Sequence, residues 1–173
     1  MRRERSLERS QLYTREERAR RDATRWTVVQ GVLAPVQFLA FLVSLALVLR
    51  FIVTGEGYSA ASASIVVKTL TLYAIMITGS IWEKEVFGRY LFAQSFFWED
   101  VVSMLVLALH TAYLAALFFG LLTERGRMFL ALAAYASYVL NATQFILKLR
   151  AARREQDPPD LTSRDAEILG AAR

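Results

Sequence analysis

The sequence has no cysteine and a single histidine among its 173 residues. The absence of cysteine excludes disulfide bonds, thiol nucleophiles and Cys-based zinc or iron–sulfur sites, and one histidine excludes a histidine cluster for a metal ion. Charge is also missing from long stretches, since residues 28–49 and 101–122 contain no Asp, Glu, Lys or Arg. Apolar residues concentrated in this way are not typical of a soluble core.

The apolar runs have the length of membrane-spanning helices. A bilayer core about 30 Å thick needs roughly 20 apolar residues in a helix, and 28–49, 101–122 and 128–147 each supply that number. A fourth run, 58–82, is interrupted by Lys68, which must either extend toward the headgroups or face protein. We predict four spans, at about 27–50, 60–82, 100–122 and 127–148.

The short connections between these spans predict an all-α integral membrane protein, an antiparallel bundle of four transmembrane helices in residues 26–153. Lys and Arg number fifteen on the side that holds the N-terminal segment, the 83–100 loop and residues 148–154 after the fourth span, against four on the other side. By the positive-inside rule, both termini and that loop are expected to face the cytoplasm.

Two tails flank the bundle. Residues 1–25 hold nine arginines against five acids, which predicts a solvated basic tail held near anionic lipid. Nucleic-acid binding is disfavoured, because acids interrupt the basic run and no recognition motif is present. Residues 154–173 form an acidic, flexible segment to which the sequence assigns no function.

Ionisable residues gather where the second and third spans meet, in "GSIWEKEVFGRYLFAQSFFWED" at 79–100. Glu83 ends one predicted helix, and Glu99 and Asp100 begin the next, so a tight connection would bring these carboxyl groups together. Beside lipid and aromatic rings, burial and mutual repulsion favour the protonated form that a general acid requires. Pairing with Lys84 and Arg89 at the headgroups is an equally good interpretation of each acid taken singly.

Polar residues also lie inside the predicted spans, where they normally face protein or a cavity. Gln37 belongs to a stripe of polar residues on the first span, which fits either helix–helix hydrogen bonding or substrate contact. On the third span, Glu99, His110 and Tyr113 share one face. The fourth span adds Asn141 and Gln144.

His110 has two interpretations. One is a hydrogen-bonded packing residue, and the other is an axial ligand to the central metal of a tetrapyrrole, because neutral imidazole is a common metal ligand. Glu99 and His110 are eleven residues apart, about 16 Å along a helix. That distance is too long for both to serve one macrocycle as acid and central ligand.

Long strings of the sequence resemble a known family. "TRWTVVQGVLAPVQFLAFLVSLALVLR", "GSIWEKEVFGRYLFA", "FFWEDVVSMLVLALHTAYL" and "ALAAYASYVLNATQFILKLRAAR" resemble the 3-vinyl bacteriochlorophyllide hydratases, the BchF type, of anoxygenic phototrophs. The resemblance covers roughly residues 13–153. It implies hydration of the C3 vinyl group of chlorophyllide a, or of its bacteriochlorin relative, to a 1-hydroxyethyl group in bacteriochlorophyll a synthesis.

The resemblance also implies the partners and the location. The expected substrate is chlorophyllide a or 3-vinyl bacteriochlorophyllide, which carries its own Mg, and no redox cofactor or added metal is expected. The expected location is the bacterial inner membrane, cytoplasmic or intracytoplasmic, with contact to lipid, to other bacteriochlorophyll-synthesis enzymes and not to nucleic acid.

Chemistry then assigns candidate roles to residues. The acid and base candidates are Glu99, first because it shares a face with His110, then Glu83 and Asp100. His110 is the candidate ligand to the substrate Mg or a proton relay. The remaining candidates for substrate binding are Gln37, Tyr113, Asn141 and Gln144 for water or carbonyl groups, Trp82 and Trp98 for stacking, and Lys84 and Arg89 for the propionate.

Two rival functions remain at this point. A non-catalytic pigment-binding or photosystem assembly protein would use His110 as a chlorophyll ligand and the acids as anchors. A small transporter or channel is indicated by polar groups at depth, but the inverted repeats common in transporters are absent from the sequence.

Overall fold

The computed structural model describes residues 12–156, which contain five α-helices and no β-strand. The helices are α1 (Arg15–Ala23), α2 (Arg25–Thr54), α3 (Tyr58–Phe87), α4 (Phe97–Phe118) and α5 (Glu124–Gln156). Residues 1–11 and 157–173, which include most of the predicted acidic tail, lie outside the described part.

Four of these helices are long and apolar enough to cross a membrane: α2, α3, α4 and residues 124–151 of α5. The shortest, α4, has 22 residues, which at 1.5 Å per residue span about 33 Å and exceed the bilayer core. The predicted all-α architecture with four spans is therefore confirmed, including the span that Lys68 interrupts. The orientation of the termini stays a prediction.

The helix ends follow from local sequence. Thr14 and Glu17 form a capping box at the start of α1, with reciprocal hydrogen bonds of 3.2 and 2.7 Å. Gly88 ends α3 with a φ of 80°, a left-handed conformation that a side chain disfavours. The helix of the third span runs from 97 to 118 where the sequence predicted 100–122, because Gly120 and Leu122 adopt positive φ and turn the chain.

The bundle consists of two antiparallel helix hairpins. Helix α2 packs along α3, and α4 packs along α5, while the two hairpins meet through α2 and α5 and more sparsely through α3 and α4. Helix α1 lies against α3. We call the end with residues 12–26, the 88–96 connection and the last turns of α5 the loop end. The opposite end, with the connections 55–57 and 119–123, is the turn end.

Two apolar clusters hold the hairpins together. The larger lies toward the turn end and comprises Phe41, Val48, Phe51, Ala61, Ile65, Tyr113, Met128, Ala131 and Tyr135. The smaller lies at the loop end, where Tyr13, Val86 and Phe96 are buried against Trp82, Phe87 and Phe145. The N-terminal segment belongs to this second cluster, since Tyr13 stacks on Phe87 with ring centroids 5.7 Å apart.

Toward the loop end the helices of the two hairpins cover one another less. Residues 25–36 of α2, 73–82 of α3 and 138–151 of α5 include no buried residue. Hydrogen bonds join helices of the same hairpin, as from Gln30 to Thr78 and from Asn141 to Ser103, and Tyr73 of α3 also bonds to Thr111 of α4 at 2.8 Å. The region bordered by these stretches and by residues 99–106 of α4 is called the open cleft below.

Candidate active site

Two buried carboxyl groups meet at the loop end of the open cleft. Glu83 lies near the end of α3 and Asp100 on the first turn of α4, and their carboxyl groups lie close enough to interact directly. They are 4% and 7% exposed. The predicted convergence of these two acids is present in the structure, and we call them the carboxyl pair.

The 88–96 connection holds the carboxyl pair with its backbone. The N–H of Ala93 donates to Glu83 Oε1 at 3.0 Å, and the N–H of Phe92 donates to Asp100 Oδ2 at 2.7 Å. Phe92 has a φ of 59°, a left-handed conformation that costs a bulky residue about 1–3 kcal/mol. The local strain at Phe92 therefore coincides with the point where the connection turns an N–H toward Asp100.

Two neighbouring buried carboxyl groups repel each other when both are ionised, which favours a proton on one of them. No Lys or Arg among residues 12–156 forms a salt bridge with either member. Lys84 instead donates to the carbonyl of Gly88 at 3.0 Å, and Arg89 is exposed. The arrangement thus differs from headgroup pairing, which was the alternative interpretation of these acids.

Glu99 lies in a different electrostatic setting from its neighbour. Its Oε2 is 2.6 Å from Lys148 Nζ of α5, and the ammonium also lies 5.0 Å from the centre of the Phe96 ring. Glu99 is 7% exposed, so this ion pair is largely shielded from solvent. A carboxylate neutralised by an ammonium is suited to accept hydrogen bonds and less suited to donate a proton.

His110 is fully buried, one turn beyond the stretch of α4 that borders the open cleft. Its Nδ1 is 2.8 Å from the carbonyl oxygen of Val106, which can only accept, so Nδ1 carries the hydrogen. The neutral ring then presents the Nε2 lone pair to Lys68 Nζ, 2.9 Å away. Both ring nitrogens have a partner, and ligation of a substrate Mg by Nε2 would require Lys68 to leave.

Three amide side chains in the open cleft or directly next to it each have one polar atom without a hydrogen-bond partner. Gln37 accepts from Thr71 Oγ1 at 2.5 Å through its oxygen, but its Nε2 is buried with no hydrogen-bond partner. Asn141 donates to Ser103 at 2.8 Å, whereas its Oδ1 is unpaired, and Gln144 Oε1 is unpaired as well. Unmet hydrogen-bonding capacity of this kind indicates a polar ligand or water.

The other predicted binding residues are dispersed. Tyr113 lies in the large cluster, on the turn-end side of His110 and away from the acids. Trp82 donates to Thr27 Oγ1 at 2.9 Å within the loop-end cluster. Trp98 is 69% exposed.

Sequence reasoning missed three elements of the site: Lys148, the two backbone N–H groups of the 88–96 connection, and the contact of Lys68 with His110 Nε2. Lys148 lies 49 positions from Glu99, and no local pattern joins them. The depth of Lys68 within its span was the one available signal.

Neither of two surface cavities coincides with these groups. One, of about 590 Å³, is lined by Phe51, Gly55, Thr123, Glu124 and Arg125 at the turn end. The other, of about 320 Å³, is lined by Arg20, Ala23, Thr24 and Glu85. Within the described residues, no group of three or more His, Asp or Glu is suited to a metal ion.

Comparisons with known proteins agree on one family. A family model described as 2-vinyl bacteriochlorophyllide hydratase (BCHF) matches residues 13–151. The chain is 66% identical over 152 residues to the 2-vinyl bacteriochlorophyllide hydratase of Rhodobacter capsulatus, covering 88% of each chain. It is 65% identical over 147 residues to the protein of that name from Cereibacter sphaeroides, covering 84% of this chain and 91% of the relative. No solved structure matches the chain.

Proposed function

Because the chain belongs to the 2-vinyl bacteriochlorophyllide hydratase family, we propose that it adds water to the vinyl group of chlorophyllide a or of 3-vinyl bacteriochlorophyllide. The vinyl group called 2-vinyl in the family description is the C3 vinyl group in the ring numbering used above. The product carries a 1-hydroxyethyl group. The observation that carries this proposal beyond the family name is the buried carboxyl pair at the loop end of the open cleft, which supplies the proton in the mechanism below.

The open cleft suits a flat amphipathic macrocycle. It is bordered by apolar stretches of both hairpins in the half of the bundle next to the loop end. A membrane-dissolved pigment would enter laterally between the hairpins. Lys84 and Arg89, both exposed at the loop end, then lie at the vinyl end of the pigment and not at its propionate, because the propionate is carried next to the fifth ring, on the opposite edge.

The carboxyl pair supplies the acid. Water is a poor nucleophile toward an unactivated alkene, so the first step transfers the shared proton to the terminal CH2 of the vinyl group. The electron pair of the C=C bond forms the new C–H bond, and the cation develops on the carbon attached to the ring, where the conjugated macrocycle delocalises it.

The same pair supplies the base. Once it has given up its proton, Glu83 and Asp100 are both anionic beside the cation, and one of them accepts a proton from an attacking water as the C–O bond forms. The pair regains its proton, and the sum is addition of one water. The N–H groups of Phe92 and Ala93 and the ammonium of Lys148 stabilise the transient double negative charge.

Glu99 keeps a role in this proposal, although not the first one. Its ion pair with Lys148 positions a cation next to the carboxyl pair and leaves Glu99 available to orient the water. Asn141 and Gln144, with unpaired oxygens, are further candidates to accept from that water. No cofactor is required by this mechanism, and the Mg belongs to the substrate.

The proposed setting is a bacterial inner membrane with the loop end toward the cytoplasm. The four apolar helices support a multi-pass membrane protein, and the excess of Lys and Arg at the loop end supports that orientation. A cytoplasmic loop end would let other bacteriochlorophyll-synthesis enzymes deliver and receive the pigment.

Isotope incorporation tests the mechanism directly. Membranes containing the protein are supplied with chlorophyllide a in heavy water without reductant, and the product is analysed by mass spectrometry and NMR. We expect a product heavier by one water, with one carbon-bound deuterium in the new methyl group. Absence of deuterium from that methyl would overturn protonation of the vinyl terminus. Pigment that is bound but unaltered would favour the rival pigment-binding function.

A further inference from the structure

Lys68 has no anionic partner among the described residues. It is 0% exposed, and its ammonium contacts His110 Nε2 at 2.9 Å and lies 4.3 Å from the centre of the Tyr138 ring. None of the carboxylates in residues 12–156 forms a salt bridge with it. Removing a cation from water without a counter-charge is costly, and ionisable groups at this depth commonly serve function.

The hydrogen bonds of Lys68 are also incomplete. An ammonium has three N–H donors, and among the described residues its one hydrogen-bond acceptor is His110. Gln37 lies at the level of Thr71 on the neighbouring helix, where Thr71 Oγ1 is 2.5 Å from Gln37 Oε1 and 2.8 Å from the backbone carbonyl oxygen of Lys68, one turn earlier on α3. Gln37 is 2% exposed and its Nε2 is unpaired. Two buried side chains, both deeper in the bundle than the carboxyl pair, therefore have unused donors.

The height of these donors in the bundle matches the substrate. His110, which marks the level of the Lys68 ammonium, is ten residues from Asp100 on α4, about 15 Å along the axis. In a chlorophyllide, the vinyl group and the ketone of the fifth ring lie on opposite edges of the macrocycle. A macrocycle that is upright in the cleft, with its vinyl group at the carboxyl pair, would turn its ketone edge toward Lys68.

We infer that Lys68 and Gln37 form a donor subsite that binds the ketone oxygen of the substrate and so fixes which edge of the macrocycle meets the carboxyl pair. This inference rests on the proposed function and deepens it. It also resolves the spacing problem noted for Glu99 and His110, because His110 then holds Lys68 in position and the Mg needs no ligand at this depth. Lys68 and Gln37 are binding residues in this proposal, and His110 is a positioning residue.

The test compares two substrates, chlorophyllide a and its deoxo analogue, in which the ketone is a methylene. We expect wild-type kcat/KM to be about tenfold to a hundredfold higher for the ketone, the range that one hydrogen bond from a charged donor gives. Lys68→Met should lower kcat/KM for the ketone by the same factor and leave the analogue within about twofold. Arg50→Met, an exposed cation at the turn end, is the matched control and should change neither rate.

Equal rates on both substrates in the wild type would overturn the subsite, as would equal losses on both in Lys68→Met. Lys68→Met conserves volume and removes a buried charge, so the variant is expected to fold. If it does not accumulate, Gln37→Met is measured in the same way and should show a smaller, ketone-specific loss. Loss on both substrates in Gln37→Met would then overturn the subsite.

Binding provides a readout that does not depend on turnover. The ketone stretch of chlorophyllide bound to the Glu83→Gln protein is recorded by resonance Raman spectroscopy, with and without Lys68→Met. We expect the stretch at lower frequency when Lys68 is present, since a hydrogen bond weakens the C=O bond. Identical frequencies would overturn the subsite even if the protein hydrated neither substrate, an outcome that separately overturns the proposed function.

Discussion

Glu83→Gln separates the proton held by the carboxyl pair from the hydrogen bonds that position it. The glutamine oxygen can still accept from the N–H of Ala93, 3.0 Å from Glu83 Oε1, and its amide can donate to Asp100. With both hydrogen bonds retained, the free energy of unfolding should change by less than about 1 kcal/mol. What is lost is a transferable proton, because an amide is not an acid in this range.

General acid catalysis contributes about 10²- to 10⁴-fold to a rate, so kcat for hydration of chlorophyllide a should fall by that factor in Glu83→Gln. Affinity for the pigment, measured by its absorption change on titration, should stay within about threefold. Initial rates are followed by chromatography of the pigment in the dark. Glu56→Gln, a substitution at an exposed acid of the turn end, serves as the control and should retain wild-type activity.

Two results would refute this assignment. A Glu83→Gln protein with more than about a tenth of wild-type kcat would show that the pair does not donate the proton, since even the lower limit for general acid catalysis is larger. Abolished turnover in Glu99→Gln with activity retained in Glu83→Gln would move the acid to Glu99, the first candidate from sequence.

Three further outcomes are expected. Glu99→Gln and Lys148→Met, alone and combined, should show a coupling free energy of about 0.5–3 kcal/mol in thermal unfolding, because the two groups form a shielded ion pair 2.6 Å apart; strictly additive effects would contradict it. His110→Leu should lower affinity for the Mg pigment and for its Mg-free form by the same factor, whereas a Mg-specific loss would establish His110 as the ligand. Ser44→Ala should lower the free energy of unfolding by about 1–3 kcal/mol, because the Tyr135 hydroxyl, 2.5 Å from Ser44 Oγ, loses a buried partner; an unchanged unfolding midpoint would contradict that contact.

Much of the fold could be predicted because the bilayer makes simple demands. A span needs about 20 apolar residues, so the lengths of 28–49 and 101–122 were determined by sequence alone. For Lys68 the sequence left two placements open, toward the headgroups or against protein, and the structure buries it against His110. Helix ends were less predictable. Gly120 and Leu122 extend the apolar run of the third span, so hydropathy predicts that the helix continues through them. Their left-handed backbone conformation ends it earlier.

The candidate site shows what could not be predicted from the sequence alone. Glu99 and Asp100 are neighbours in the chain, and the sequence ranked Glu99 first as the acid because it shares a face with His110. Successive residues on a helix, however, point about 100° apart. Asp100 therefore meets Glu83 and the backbone of the 88–96 connection, whereas Glu99 meets Lys148 on α5. The rotation of α4 about its own axis therefore determines which partner each acid contacts.

The sequence by itself determined how many helices cross the membrane, which residues lie at which depth, and that acids collect at one end of the bundle. These properties depend on one-dimensional spacing against a layer of fixed thickness. Only the tertiary structure decided which acid lies beside Glu83, which is paired with an ammonium, and that Lys68 contacts Nε2 of His110. Those outcomes depend on the rotation and separation of helices, to which residues far apart in the chain all contribute.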